Sequence, residues 1–297
     1  MKVDLQALLA EERERIDAAL DRLLPPADAW PARLHEAMRY AVFGGGKRVR
    51  PVLVRASCRA TGGDPEAVIE AACALELVHT YSLIHDDLPA LDNDSLRRGR
   101  PTVHVAFDEP LAILAGDALL TEAFAVLGRF PAGDGFAGRR AAACRVVAEA
   151  IGSKGMVGGQ VEDLEATGGV PDAARLDMIH RAKTGALIGA AVELGVLFAG
   201  VDGAHREAFA LFGSRLGLLF QIADDILDVT GSAESLGKSP GKDAAAGKLT
   251  YPAVYGLQAA RRKLEALSHT LMVEAEGLEG SGGTLGAMVS YVARRDR

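Results

Sequence analysis

The sequence predicts an all-α fold, and three observations carry that expectation. Apolar residues recur at helical spacing along nearly the whole chain. No convincing stretch alternates apolar and polar residues as a half-buried strand does. Proline and glycine fall between the periodic stretches, where they punctuate helices. Aromatic residues are only 5% of the 297 and alanine is abundant, so the helices are expected to pack closely and antiparallel.

The elements follow in order. Leu9, Ile16, Leu20 and Leu23 mark one face of a first helix, which Pro25 and Pro26 end. Pro31 opens a second, with Leu34, Met38, Ala41 and Val42 on one side, and Gly44–Gly46 stop it. Pro51 suits the first turn of a third helix, closed by Gly62 and Gly63. Asp64-Pro65 has the form of an N-cap with proline at the first helical position, starting a long helix to about Leu88. Further helices are expected over 110–128, 137–152, 173–199, 203–230, 251–268 and 283–294. The segments 232–248 and 276–283 are expected to be loops, and residues 1–297 to form one all-α domain.

Two acidic clusters point to chemistry: DDLPALD, Asp86–Asp92, and DDILD, Asp224–Asp228. Each sits in an otherwise apolar helical stretch, and neither contains Lys or Arg. Carboxylates in such surroundings are costly unless paired or bound to a cation. Oxygen-only sites suit hard cations, and Mg²⁺ is commonly held by one or two carboxylates together with substrate phosphates. On a helix Asp224 and Asp228 share a face, while Asp225 is rotated by roughly 100°. Pro89 interrupts the first helix and lets Asp92 fold back toward Asp86. The clusters therefore predict several Mg²⁺ ions holding a phosphorylated substrate.

Basic groups stand ready to meet phosphates. GGGKRVRP places Lys47, Arg48 and Arg50 between two helices, after glycines that allow close backbone approach. Arg97 and Arg98 follow the first acidic cluster, and Lys183, Lys238, Lys242 and Lys248 form a third set. Two phosphorylated substrates fit this division, one held through metal and the other directly by Lys and Arg. GSAESLGKS resembles a nucleotide-binding P-loop, but it has one residue too many between its glycines and no preceding strand.

Composition narrows the field. A net charge of −7 argues against nucleic acid as the main partner. Cys58, Cys73 and Cys144 form no zinc or redox motif. The N-terminal segment is too charged for a signal peptide, and TGALIGAAVELGVLFAG is short for a membrane span and is broken by Glu193. A soluble cytoplasmic protein is expected.

GGKRVRP, ELVHTYSLIHDDLPALDNDSLRRGRPTVH, AGDALL, GQVEDL, KTGALI, FQIADDILD and GKLTYPAVYGL occur in that order over nearly the whole chain. Together they resemble the trans-isoprenyl diphosphate synthases, and within them the bacterial farnesyl diphosphate synthases. The resemblance implies an isoprenoid synthase fold, helices around a central cavity, and a homodimer. It implies chain elongation, with Mg²⁺, three ions once substrate is bound, drawing diphosphate from an allylic substrate and isopentenyl diphosphate attacking the resulting cation.

By this resemblance Asp86 and Asp92 hold Mg²⁺ from one side and Asp224 from the other, with Asp87, Asp225 and Asp228 in support. Lys47, Arg50, His79 and Arg98 match the isopentenyl diphosphate site. Arg97, Lys183, Lys238 and Lys248 match contacts to the allylic diphosphate, and Thr184 and Gln221 match polar groups beside the developing cation. Asp117 and Gln160 fit supporting positions, while His85, Lys242 and Asp243 receive no substrate role. Tyr81 and Ser82, five and four residues before Asp86, are placed to limit chain length. An aromatic residue at Tyr81 and a first motif two residues longer than the second go with a C15 product in that family. The alternatives are geranylgeranyl diphosphate synthase, a class I terpene cyclase and a catalytically silent partner subunit. The second aspartate-rich motif argues against the cyclase, and the intactness of both motifs argues against the silent subunit.

Overall fold

The structure, a computed structural model, describes residues 5–231, 247–280 and 283–294. It is built from helices: α1 Leu5–Leu23, α2 Ala32–Val42, α3 Val49–Ala60, α4 Ile69–Asp86, α5 Val103–Ala106, α6 Glu109–Arg129 and α7 Ala137–Ile151. They continue as α8 Met156–Ala166, α9 Ala173–His180, α10 Ala186–Ala199, α11 Ala204–Thr230, α12 Tyr251–Tyr255, α13 Leu257–Glu279 and α14 Thr284–Ala293. The only strands among the described residues are a two-rung antiparallel ribbon, β1 Leu96–Arg97 with β2 Arg100–Pro101. The expected all-α class is the one observed.

Local chemistry sets the ends of several elements. Asp108 caps α6 by accepting from the Leu111 amide at 2.7 Å, with Pro110 in the first turn. Asp172 caps α9, and Thr250 caps α12. At the expected N-cap Asp64, the side chain accepts from the Glu66 amide at 2.9 Å, but a turn intervenes and α4 begins only at Ile69. The segment expected to be a loop at 276–283 is helical as far as Glu279. Conversely, the run expected over 251–268 is broken at Gly256, where φ is +80°. Helix α8 has no counterpart in the periodicity, and the expected 173–199 helix is interrupted by a widened π turn at Arg181–Gly185. All but the end of the expected 232–248 loop lies outside the described residues.

Helix α4 packs on α6 and α3, and α10 packs between α3 and α11. Leu53, Leu75, Leu77, Leu187, Leu194 and Phe209 are fully buried there. Gly195 allows the α3–α10 approach: a Cβ at this position would meet the Val54 carbonyl and the Ser57 hydroxyl. A smaller apolar cluster, Leu176, Ile179, Ile222, Leu249 and Tyr251, seats the segment after α11 against α9. Two stretches, Glu109–Arg129 and Ala173–Ala199, are long and apolar enough to cross a membrane, with mean hydropathy 1.7 and 1.5. Of these windows, 39% and 67% are buried within the protein, so the second has the character of a core helix.

Candidate active site

Helix α4 ends at Asp86, and the chain after it turns back as the proline predicts. The Asp92 amide donates to the Asp86 carbonyl at 2.8 Å, and the Asn93 amide to the Leu88 carbonyl at 3.1 Å. Burial pushes the Asp86 carboxyl up to about 6, and the nearby Asp92 and Asp87 carboxylates push in the same direction, against Lys183 and Arg97. Mutually repelling carboxylates of this kind are ones a divalent cation would relieve. Among the described residues no three acidic, histidine or cysteine side chains stand close enough to hold a metal unaided. Mg²⁺ takes part of its shell from water and substrate phosphates, so such a site would need the substrate to complete it. Asp224 is half-buried on α11, and Asp228, one turn on, is buried.

Two aspartates of the clusters are engaged elsewhere. Asp87 is 3% exposed and accepts from Arg97 through both oxygens, Nε at 2.7 and 2.9 Å and Nη2 at 2.5 Å. Arg97, expected at the allylic diphosphate, thus braces β1 against the end of α4. Asp225, rotated off the Asp224–Asp228 face, accepts from His180 Nε2 at 2.8 Å, the Tyr251 amide at 2.9 Å and Gln221 Nε2 at 3.3 Å. It ties α11 to α9 and α12.

The remaining cations converge on the same region. Lys248 donates to Asp92 at 3.1 Å, bringing the segment after α11 onto the first cluster. Lys183, in the π turn, donates to Asp163 of α8 at 2.7 Å, and its charge bears on Asp86. Asp163 was not singled out in the sequence, although GQVEDL contains it. Beside it, both amide atoms of Gln160 are buried without a hydrogen-bond partner among the described residues, so they call for water or a ligand. Thr184 donates to Gln221 Oε1 at 2.7 Å. Lys238, Lys242 and Asp243 lie outside the described residues, and Asp117 is exposed on α6.

The residues expected at the isopentenyl diphosphate site lie as follows. Burial, then Arg50, Arg98, Arg97 and Arg48, hold His79 well below the usual histidine range. Lys47 Nζ lies 5.4 Å from the ring centroid of Tyr291 on α14, a residue that no motif marks. Arg98 donates to the Gly45 carbonyl, so β1–β2 clasps the glycine loop. Arg48 points away from its neighbours: it is 2% exposed and donates to Glu76 at 2.8 Å, Asp17 at 2.7 Å and the Val42 carbonyl at 2.8 Å. Its backbone is left-handed, φ +49°, and this turn separates the anchoring Arg48 from Lys47 and Arg50.

Tyr81 is 6% exposed, with its ring edge-on to His85 at 5.8 Å between centroids. His85 Nε2 lies 3.1 Å from the Ile113 carbonyl, and Gly116 leaves the room its ring occupies. Burial, then Asp86, pushes the Tyr81 phenol up to about 12, so it stays un-ionised at neutral pH. Ser82 donates to the His79 carbonyl at 2.9 Å.

A helical fold that gathers Lys183 and Lys248 onto the first aspartate-rich motif, with the second motif on α11, fits a class of enzymes acting on diphosphate esters. Residues 31–279 match the polyprenyl synthetase family, and the chain belongs to it. These are prenyltransferases of isoprenoid biosynthesis. The chain is 40% identical over 295 residues to a farnesyl diphosphate synthase of Geobacillus stearothermophilus, covering 99% of each. It is 43% identical to the large subunit 1 of a heterodimeric geranylgeranyl pyrophosphate synthase of Arabidopsis thaliana, covering 98% of this chain and 80% of that one. A Helicobacter pylori geranyltransferase crystallised with magnesium and isoprenyl diphosphate superposes with a TM-score of 0.85 at 29% identity, covering 98% and 97%. The fold is the isoprenoid synthase fold.

Proposed function

We propose that this chain is a Mg²⁺-dependent prenyl-elongating enzyme. It joins isopentenyl diphosphate to dimethylallyl and then geranyl diphosphate, stops at (E,E)-farnesyl diphosphate, and works as a cytoplasmic homodimer. The observation that carries this reading is the convergence of Asp86, Asp92, Lys183 and Lys248 from three distant parts of the chain. Magnesium, held by Asp86, Asp92 and Asp224, would neutralise charge on the departing diphosphate. Lys183, Lys248 and Lys238 hold the allylic diphosphate. The allylic C–O bond breaks, and its electron pair leaves with the diphosphate. Lys47, Arg50, His79 and Arg98 hold isopentenyl diphosphate so that its double bond forms the new C–C bond. A proton then passes to the released diphosphate, which restores a double bond. Fixed dipoles of Thr184 and Gln221 stabilise the cation between these steps.

The farnesyl stop rests on Tyr81, a buried aromatic ring on α4 five residues before Asp86, which on this reading would limit the growing chain. A C20 product is the second reading, favoured by the 43% identity to a geranylgeranyl pyrophosphate synthase subunit. The homodimer is supported by α6, which leaves Ile113 and Leu114 45% and 55% exposed on one face. Incubating the purified chain with Mg²⁺, labelled isopentenyl diphosphate and geranyl diphosphate tests the reading. Mass spectrometry should find farnesyl diphosphate. A cyclised hydrocarbon, or no labelled product, would refute it.

A further inference from the structure

Asp225 sits at the centre of a hydrogen-bond chain whose polarity can be worked out. A carboxylate only accepts. Its three neighbours must therefore donate: the Tyr251 amide at 2.9 Å, His180 Nε2 at 2.8 Å and Gln221 Nε2 at 3.3 Å. His180 accordingly carries its proton on Nε2. The Gln221 amide can take only one orientation, because turning it over would set its oxygen against the carboxylate. Its Oε1 then faces Thr184, and the Thr184 hydroxyl must donate to it, at 2.7 Å. With that proton engaged, only the lone pairs of the Thr184 oxygen remain for any other neighbour.

This chain runs from the protein interior to the two residues that the elongation reading sets beside the reacting carbons. His180, Asp225 and Tyr251 are 4%, 3% and 4% exposed, whereas Thr184 and Gln221 are half-buried. His180 is the last residue of α9, immediately before the π turn that carries Lys183 and Thr184. Its ring lies tilted on Tyr251, centroids 5.5 Å apart, which fixes the ring plane against Asp225.

We propose that His180 is a positioning residue. Through Asp225 it locks the Gln221 amide, and so turns the oxygen lone pairs of Thr184, rather than its proton, toward a developing carbocation. The proposal rests on the elongation reading above, and it assigns the second aspartate of DDILD a dipole-setting role in place of metal ligation. A positive centre is stabilised by a hydroxyl oxygen and destabilised by a hydroxyl proton, so the direction of this one dipole bears on the rate of ionisation.

A double-mutant cycle on kcat tests it, at saturating Mg²⁺ and both substrates. His180→Leu and Thr184→Val should each lower kcat by about tenfold or more, with the KM for isopentenyl diphosphate within about twofold of wild type. The double variant should be no slower than the slower single one, because both changes act on the same dipole. His180→Gln, which keeps an N–H donor near the Nε2 position, should retain most of kcat. Asp225→Asn conserves volume and can reverse the chain. It should lower kcat in the wild-type background and change nothing in Thr184→Val, and it carries the test if His180→Leu does not fold. Multiplicative losses in these double variants, or an unchanged kcat in Asp225→Asn, would overturn the proposal while elongation by the wild type stands. A wild type that yields no elongated product would remove the elongation reading and this proposal together.

Discussion

Replacing Tyr81 by alanine should lengthen the product. A further isoprene unit adds five carbons, whose burial is favourable by about 0.8 kcal/mol per CH₂, or roughly 4 kcal/mol when there is room. On the proposed reading the wild-type ring occupies that room. It is 6% exposed and wedged edge-on against His85, which is itself held between the Ile113 carbonyl and Gly116. Forcing extra carbons into such packing costs about 1–3 kcal/mol. Removing the ring should therefore shift the partition between release at C15 and another round of elongation by roughly 5- to 150-fold. Tyr81→Phe keeps the volume and should keep C15, because the phenol, pushed up to about 12, contributes no charge at neutral pH. The assay is mass spectrometry of products formed from geranyl diphosphate and excess isopentenyl diphosphate. A wild type that makes mostly C20, or an unchanged distribution in Tyr81→Ala, would refute the steric argument.

Asp86→Ala and Asp224→Ala should each lose most activity while keeping their circular dichroism. Asp86→Ala should also melt higher than wild type above pH 6 without metal, because it removes a carboxyl that burial pushes up to about 6. Lys47→Ala and Arg50→Ala should raise the KM for isopentenyl diphosphate more than that for the allylic substrate, and Lys248→Ala should do the reverse; equal effects in separate titrations would sink the two-pocket scheme. His79 is held well below the usual histidine range, so the unfolded chain takes up its proton first as pH falls. Its contribution to stability is present above about pH 6.5 and is lost below it, by at most about 1.4 kcal/mol per pH unit. Denaturant melts of His79→Gln should show a correspondingly shallower acid limb than wild type.

Local periodicity made most of the helices legible, and its failures have local causes. Helix α8 was hidden because GMVGGQ looks like a chain break. In the structure Gly159 lets α8 press on the backbone at Lys183, where a Cβ would come within 2.8 Å of the Lys183 Cα. The EGLEG stretch looked like a loop, yet α13 absorbs Gly277 and ends only at Glu279. The π turn at Arg181–Gly185 left no mark on the periodicity either, because Ile179, Leu187 and Ile188 are buried on both sides of it. In the site, the sequence could place Asp224, Asp225 and Asp228 around one helix. It could not show that the odd one out meets His180, 45 residues away, or that Lys248 meets Asp92 across 156 residues. Helical spacing carries information over a turn or two; such pairings are made by packing.

The distant pairings also revise the idea that the acidic clusters lack a neutralising charge. Within each motif that remains true, but Arg97 lies on Asp87 and Lys248 on Asp92, while Lys183 lies on Asp163 and acts on Asp86 from close by. Burying a charge without a partner is costly, and these pairs meet that cost for acid and base alike. The same pairing constrains how ligands enter. A metal ion drawing Asp92 would release Lys248, and a diphosphate drawing Lys248 would leave Asp92 in need of a cation. On the proposed reading each ligand would create the vacancy in charge that the other fills, so metal and diphosphate should favour each other's binding through shared partners, in the reciprocal sense required by linkage. Asp87 and Arg97 stand apart, because their three short contacts lock β1 to the end of α4. That fixed pair gives Asp92 and Lys248 a rigid frame, and it separates the two aspartates that open the first motif: Arg97 holds Asp87, while the charge of Lys183 bears on Asp86.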